Sequence, residues 1–122
     1  MSKKLFIDAF YSQFSEFLEQ LTQMYPEDKD FPSFSTNLTA MKYMNPMYPI
    51  KFVYSEVVEK YKDKIFSRDE TFFLNSEQIQ ESADINIVYK LKSYIQNMTN
   101  ENKNAVWSYL EIITKITIKI LE

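Results

Sequence analysis

Glu27, Asp28 and Asp30 place three acids within four residues, the densest group of potential cation ligands in the chain. An EF-hand loop needs a glycine at its sharp turn and a closing glutamate, and this spacing supplies neither. The expected role is a solvated acidic turn at the start of a helix, where the positive end of the helix dipole favours carboxylates. Two carboxylates such as Asp28 and Asp69 could share acid and base work as they do in glycosidases, but only if they faced one pocket, and nothing in the spacing pairs them. Lys60-Tyr61-Lys62 is the one hint of the charge-and-stacking chemistry that holds single-stranded nucleic acid. The acidic balance opposes that reading. A formal charge of -3 and a pI near 5.1 also argue against a partner in duplex nucleic acid, which usually meets a basic patch.

The absences say more. Histidine and cysteine are both missing, which removes the commonest general base, the commonest neutral metal ligand, thiolate metal sites and disulfides. A bound metal would have to rely on carboxylates and carbonyls, a set suited to Mg or Ca, and no metal or organic cofactor is expected. Glycine is missing as well, where average usage of roughly 7% would give about eight or nine. Phosphate-cradling loops, tight hairpin turns and nucleophile elbows all lean on glycine. A nucleotide-binding α/β fold or a β-rich fold is disfavoured, an all-α fold is favoured, and no enzymatic activity is expected.

The chain is 122 residues long, 45% hydrophobic and 25% charged, which suits a single domain spanning 1–122 with one core. There is no apolar run of about 18 residues and no signal-peptide core after Lys3-Lys4, so no membrane span and an intracellular setting are expected. Asn37-Leu38-Thr39 and Asn97-Met98-Thr99 fit the glycosylation triplet by chance. Thirteen lysines against one arginine, with many Phe, Tyr, Ile and Asn, read as the codon bias of an AT-rich genome.

Helical spacing runs through the sequence and predicts a bundle of about five helices, near 3–25, 33–45, 49–66, 84–98 and 100–121. In the first, Phe6, Phe10, Phe14, Phe17, Leu21 and Met24 form a near-heptad stripe that Pro26 terminates. Ser33 or Ser35 could cap the second, with Phe34, Leu38 and Met41 inward. The third turns Ile50, Val53 or Tyr54, Val57 or Val58, Tyr61 and Ile65 inward, with Pro49 in its first turn. Asp84 caps the fourth, along which Ile85, Val88, Leu91, Ile95 and Met98 face inward. The last starts at Thr99 or Asn100 after a tight link, which makes helices four and five antiparallel neighbours. Its apolar stripe contains Val106, Leu110, Ile113 and Ile120, with Trp107 near the start. Ile116 to Ile120 also alternates as a strand would, but the polar lead-in and earlier spacing favour helix. Between the third and fourth helices, Thr71-Phe72-Phe73-Leu74 is a short apolar plug at one end of the bundle. Asn75 with Gln78 has capping-box spacing, and 78–83 is polar. The expected core joins the first and last helices through Phe10, Phe14, Phe17, Val57, Leu91, Leu110 and Ile113.

The least ordinary stretch is Met41 to Pro49, where three methionines and two tyrosines crowd two prolines. Methionine adapts to irregular partners and tyrosine is enriched at interfaces. One reading turns Met41 and Met44 inward and roofs the core with the Pro-Met-Tyr-Pro link. The other makes Met41, Tyr43, Met44, Met47 and Tyr48, with Phe72 and Phe73, a surface that contacts a protein partner, a second copy of the chain being one such partner.

Several words of the sequence carry a resemblance. They are Tyr61-Lys62-Asp63-Lys64-Ile65, Asp69-Glu70-x-Phe72-Phe73-Leu74-Asn75, Leu91-Lys92, Glu101-Asn102-Lys103 and Val106-Trp107-x-Tyr109-Leu110. With the Phe-rich first helix and Pro26-Glu27-Asp28, they resemble a family of small uncharacterised proteins encoded by large DNA viruses of algae and other protists. Tyr94 stands where that family's pattern often has a tryptophan. The resemblance implies a helical fold and a viral origin, with a place in the virion or the host cytoplasm, and supplies no activity.

Overall fold

The computed structural model describes residues 3–74 and 87–122, and every regular element among them is helical. The order is α1 (Lys3–Met24), α2 (Asp30–Met44), α3 (Met47–Val53), a π-helical turn (Tyr54–Val58), α4 (Glu59–Phe66), α5 (Thr71–Leu74), α6 (Ile87–Ile95) and α7 (Asn100–Leu121). Helix α3, the π turn and α4 form one continuous run, because Tyr54, Val58 and Glu59 all keep right-handed helical angles across the junctions. Counted that way, the described residues form six helices rather than five. The sixth is α5, one turn built by the apolar plug.

The two long helices carry the fold. α7 lies along α1, and α1 also packs on α2, while α3, the π turn and α4 close against α7. Phe10, Phe17, Val57, Leu91, Leu110 and Ile113 are buried, as their helical spacing predicts. Phe14 is not: it is half-buried and packs on the rim of the core. The strand-like alternation at the end of α7 folds as helix. Thr117 is fully buried there because its hydroxyl donates back to the carbonyl of Ile113 at 2.7 Å, which satisfies it inside the helix.

Boundaries moved for physical reasons. α2 begins at Asp30, not at Ser33, because Pro32 fits a first turn, where its missing N–H is not needed. The Asp28 side chain, not a serine, accepts the Asp30 N–H at 3.0 Å. Asp84 and Ile85, and the Asn75–Gln78 spacing, lie outside the described residues. α6 ends at Ile95, yet Met98 is still buried in the turn that follows. Thr99 caps α7, its hydroxyl accepting from Asn102 at 3.1 Å. α6 and α7 are nevertheless not the close antiparallel pair that a short link suggests: the backbone of α6 approaches α5 instead.

The end of α4 shows how a chain without glycine closes a helix. Arg68 has a φ of 54°, in the left-handed region that glycine usually fills. Around it Arg68 N–H donates to Ile65 at 3.1 Å and Asp69 N–H to Lys64 at 2.8 Å, the two bonds of a Schellman motif. The backbone cost is offset by the side chain, which reaches α7. Its Nε lies 2.6 Å from a Glu111 carboxylate oxygen, and its other nitrogens donate to Asn104 and Ser108.

Candidate functional site

The corner between α2 and α3 is the site that the sequence singled out. The helix stops at Asn45, whose N–H still reaches the Met41 carbonyl at 2.8 Å, and resumes after Pro46. From α1, the buried Tyr11 donates its hydroxyl to the Pro46 carbonyl at 2.5 Å, satisfying the backbone where the helix is broken. Lys42 lies over the same ring, 6.0 Å from its centroid. The corner is therefore pinned from below, and beside the exposed Asn45 it turns large apolar side chains outward. Tyr43 is 80% exposed, Met44 78% and Tyr48 40%. Met41 and Met47 are half-buried, and Pro49 is buried. Met44 does not turn inward to finish α2.

Phe72 and Phe73 leave this surface. Both are buried, Phe72 against Tyr61 and Phe73 against Trp107, with ring centroids 5.7 Å and 5.2 Å apart. They fill the end of the bundle that Trp107 closes, and neither is available to a partner.

Burial pushes the Tyr11 phenol up from 10.0 to about 12. A tyrosine whose pKa is raised by folding contributes stability that is complete below its unfolded pKa and is lost as pH rises through the folded one. We expect the fold to lose stability between pH 10 and pH 12 more steeply in the parent than in Tyr11→Phe. At neutral pH, Tyr11→Phe should cost about 0.5–1.5 kcal/mol, the net worth of the hydrogen bond to the exposed Pro46 carbonyl. Chemical denaturation at several pH values checks both.

A second feature opens beside the corner, where α1, α2, α3, the π turn, α6 and α7 meet. It is an apolar cleft of about 60 Å³. Phe14, Phe34 and Phe52, all half-buried, contribute to its walls, and its buried lining includes Leu38, Val57 and Ile113. Among the described residues that line it, the one polar side chain is Thr114, which is 2% exposed. Unlike Thr117, the Thr114 hydroxyl has no hydrogen-bond partner among the described residues. An unsatisfied buried hydroxyl is a cost. Thr114→Val, which keeps the shape, is expected to raise stability by about 1 kcal/mol, read as a higher midpoint in urea. Sequence spacing turned Phe14, Phe34, Leu38, Val57 and Ile113 inward, did not single out Phe52, Ile87 or Thr114, and gave no sign of a cleft. The π turn beside it has no signature that the apolar pattern could reveal, although such turns often mark functional sites.

The acidic turn is better tied down than its composition suggests. Lys90, on α6, lies 2.8 Å from both Asp28 and Asp30, and the Tyr94 hydroxyl also donates to Asp28. Tyr94 stacks on Tyr25 with ring centroids 3.9 Å apart. Partial burial pushes the Asp28 carboxyl up, but the bonds from Lys90, Tyr94 and the Asp30 N–H outweigh it and hold the group below the usual carboxylate range. The turn is a latch between the start of α2 and α6. Among the described residues no three acidic side chains converge as metal ligands would. Asp69 sits elsewhere, accepting from the Thr71 N–H and hydroxyl at 2.9 and 2.7 Å to start α5, and among the described residues it shares no partner with Asp28. In the Lys60-Tyr61-Lys62 cluster, Lys60 pairs with Glu56 at 2.8 Å and the half-buried Tyr61 packs on Phe72.

Comparison with protein-family models, with curated proteins and with solved structures finds no match for this chain. Among the described residues no helix is long and apolar enough to cross a membrane.

Proposed function

We propose that this chain is a non-enzymatic helical protein-interaction module whose partner docks on the α2–α3 corner. The observation that carries the reading is the exposure of Tyr43 and Met44, at 80% and 78%, on a break that Tyr11 pins in place. Large apolar side chains held outward on a rigid corner favour association, because little ordering cost remains at binding. The absence of histidine and cysteine fits a role without catalysis. A setting in a virion or the host cytoplasm belongs to the same proposal and rests on the resemblance to viral proteins alone.

The double substitution Met47→Asp with Tyr48→Ser tests this reading. Complex formation, with a second copy or with another chain, should be lost in analytical ultracentrifugation while the melting temperature stays within a few degrees. Association that survives the double change places the interface elsewhere.

A further inference from the structure

We propose that Met44 is a reversible oxidation site whose sulfoxide form switches off docking at the α2–α3 corner, a regulation that rests on the corner being the partner surface described above. The ground is where the oxidisable side chains lie. The chain has six methionines and no cysteine, so thioethers stand in for thiols as its soft, oxidisable sulfur. Among the described residues the methionines fall into two settings. Met24 is half-buried and packs against the core, and Met98 is 8% exposed within it. Met41, Met44 and Met47 instead stand three residues apart across the break between α2 and α3. Of these five, Met44 alone is exposed, at 78%, while Met41 and Met47 are half-buried.

The oxidant class is a peroxide. The Met44 sulfur attacks one oxygen of hydrogen peroxide, and the O–O bond breaks as the S–O bond forms. The leaving hydroxide takes the remaining proton and departs as water. Sulfur gives up two electrons and the peroxide is reduced. The product is a polar side chain whose new oxygen is a hydrogen-bond acceptor. In the free protein that oxygen stays in water, because Met44 is exposed and lies outside the core. Under a docked partner it would be buried without a donor, which disfavours the complex. The same change at Met98 would set a polar oxygen inside the core and weaken the fold. The order of exposure therefore lets a peroxide reach the corner before it harms the bundle. Sulfoxide reductases reverse the step.

In the test, protein labelled with fluorescein at its amino terminus is treated with rising doses of hydrogen peroxide and quenched. Peptide mapping by mass spectrometry follows oxygen uptake at each methionine. Sedimentation velocity with fluorescence detection, in a lysate of the source cells, follows the complex. Met44 should oxidise first, with the melting temperature within a few degrees of the untreated protein. At the dose that oxidises Met44 alone, the complex should weaken at least about tenfold, and methionine sulfoxide reductases A and B with a thiol reductant should restore it. Met44→Leu keeps an apolar side chain of similar volume, and should bind like the parent and resist that dose. Met44→Gln places a polar group there, and should bind as weakly as the oxidised protein with no peroxide added. Oxidation of Met98 as early as Met44, or an equal loss of binding in treated Met44→Leu, would overturn the proposal. Full binding by protein oxidised at Met44 would overturn it too, while leaving the corner reading intact. No complex from untreated protein would overturn both.

Discussion

Phe17→Ala is expected to destabilise the fold by about 3–5 kcal/mol, the usual cost of emptying a fully buried phenylalanine site. Phe14→Ala, one helical turn away on the same stripe, should cost only about 1–2 kcal/mol, because part of its ring already faces water. Phe17 is 1% exposed and stacks on Tyr109 of α7, with ring centroids 5.2 Å apart. Phe14 packs on Phe10 and Phe17 but opens onto the cleft. Urea denaturation of the two variants side by side checks the contrast. Equal losses would mean that the cleft is closed in solution and that Phe14 is core.

Phe73→Ala should cost a comparable 3–5 kcal/mol or so, and should not change partner binding measured below the melting point. Its ring is 1% exposed and lies 5.2 Å from both Phe72 and Trp107. The loss should also appear as a change in tryptophan fluorescence, since Trp107 is the single tryptophan and Phe73 forms part of its wall. A stable Phe73→Ala variant that loses its partner would return this residue to the interface.

These two pairs show what could be read from residues and what could not. The stripe Phe10, Phe14, Phe17 fixes which side of α1 faces the other helices, since period alone determines a face. It cannot say where the covering helices part, and Phe14 falls at that place. Phe72 and Phe73 read as an apolar plug, but a run of three apolar residues has no period from which depth could be judged, and Trp107 arrives from a distant part of the chain. The link of Asp28 and Asp30 to Lys90 is hidden for the same reason: an ion pair spanning some sixty residues leaves no local pattern. Helix starts were legible where the capping chemistry is local, as at Thr99, and misread where Pro32 allowed an earlier turn. The missing glycine pointed to helix correctly, yet gave no warning that Arg68 would take the left-handed position itself. The α2–α3 corner was legible because Pro46 breaks the helix while methionine and tyrosine continue across the break, so some large side chains must be left outside.

Because the chain has no cysteine, one can be introduced at a single chosen place. The most direct measurement attaches a benzophenone maleimide at Tyr43→Cys, on the exposed corner, and in parallel at Ser12→Cys, on the wet side of α1. Each protein is irradiated in a lysate of the source cells, and the adducts are identified by mass spectrometry. The account predicts a discrete adduct from position 43, lost when Met47→Asp and Tyr48→Ser are added, and none of that adduct from position 12. The same adduct from both positions, or from position 12 alone, would contradict a partner surface at the α2–α3 corner.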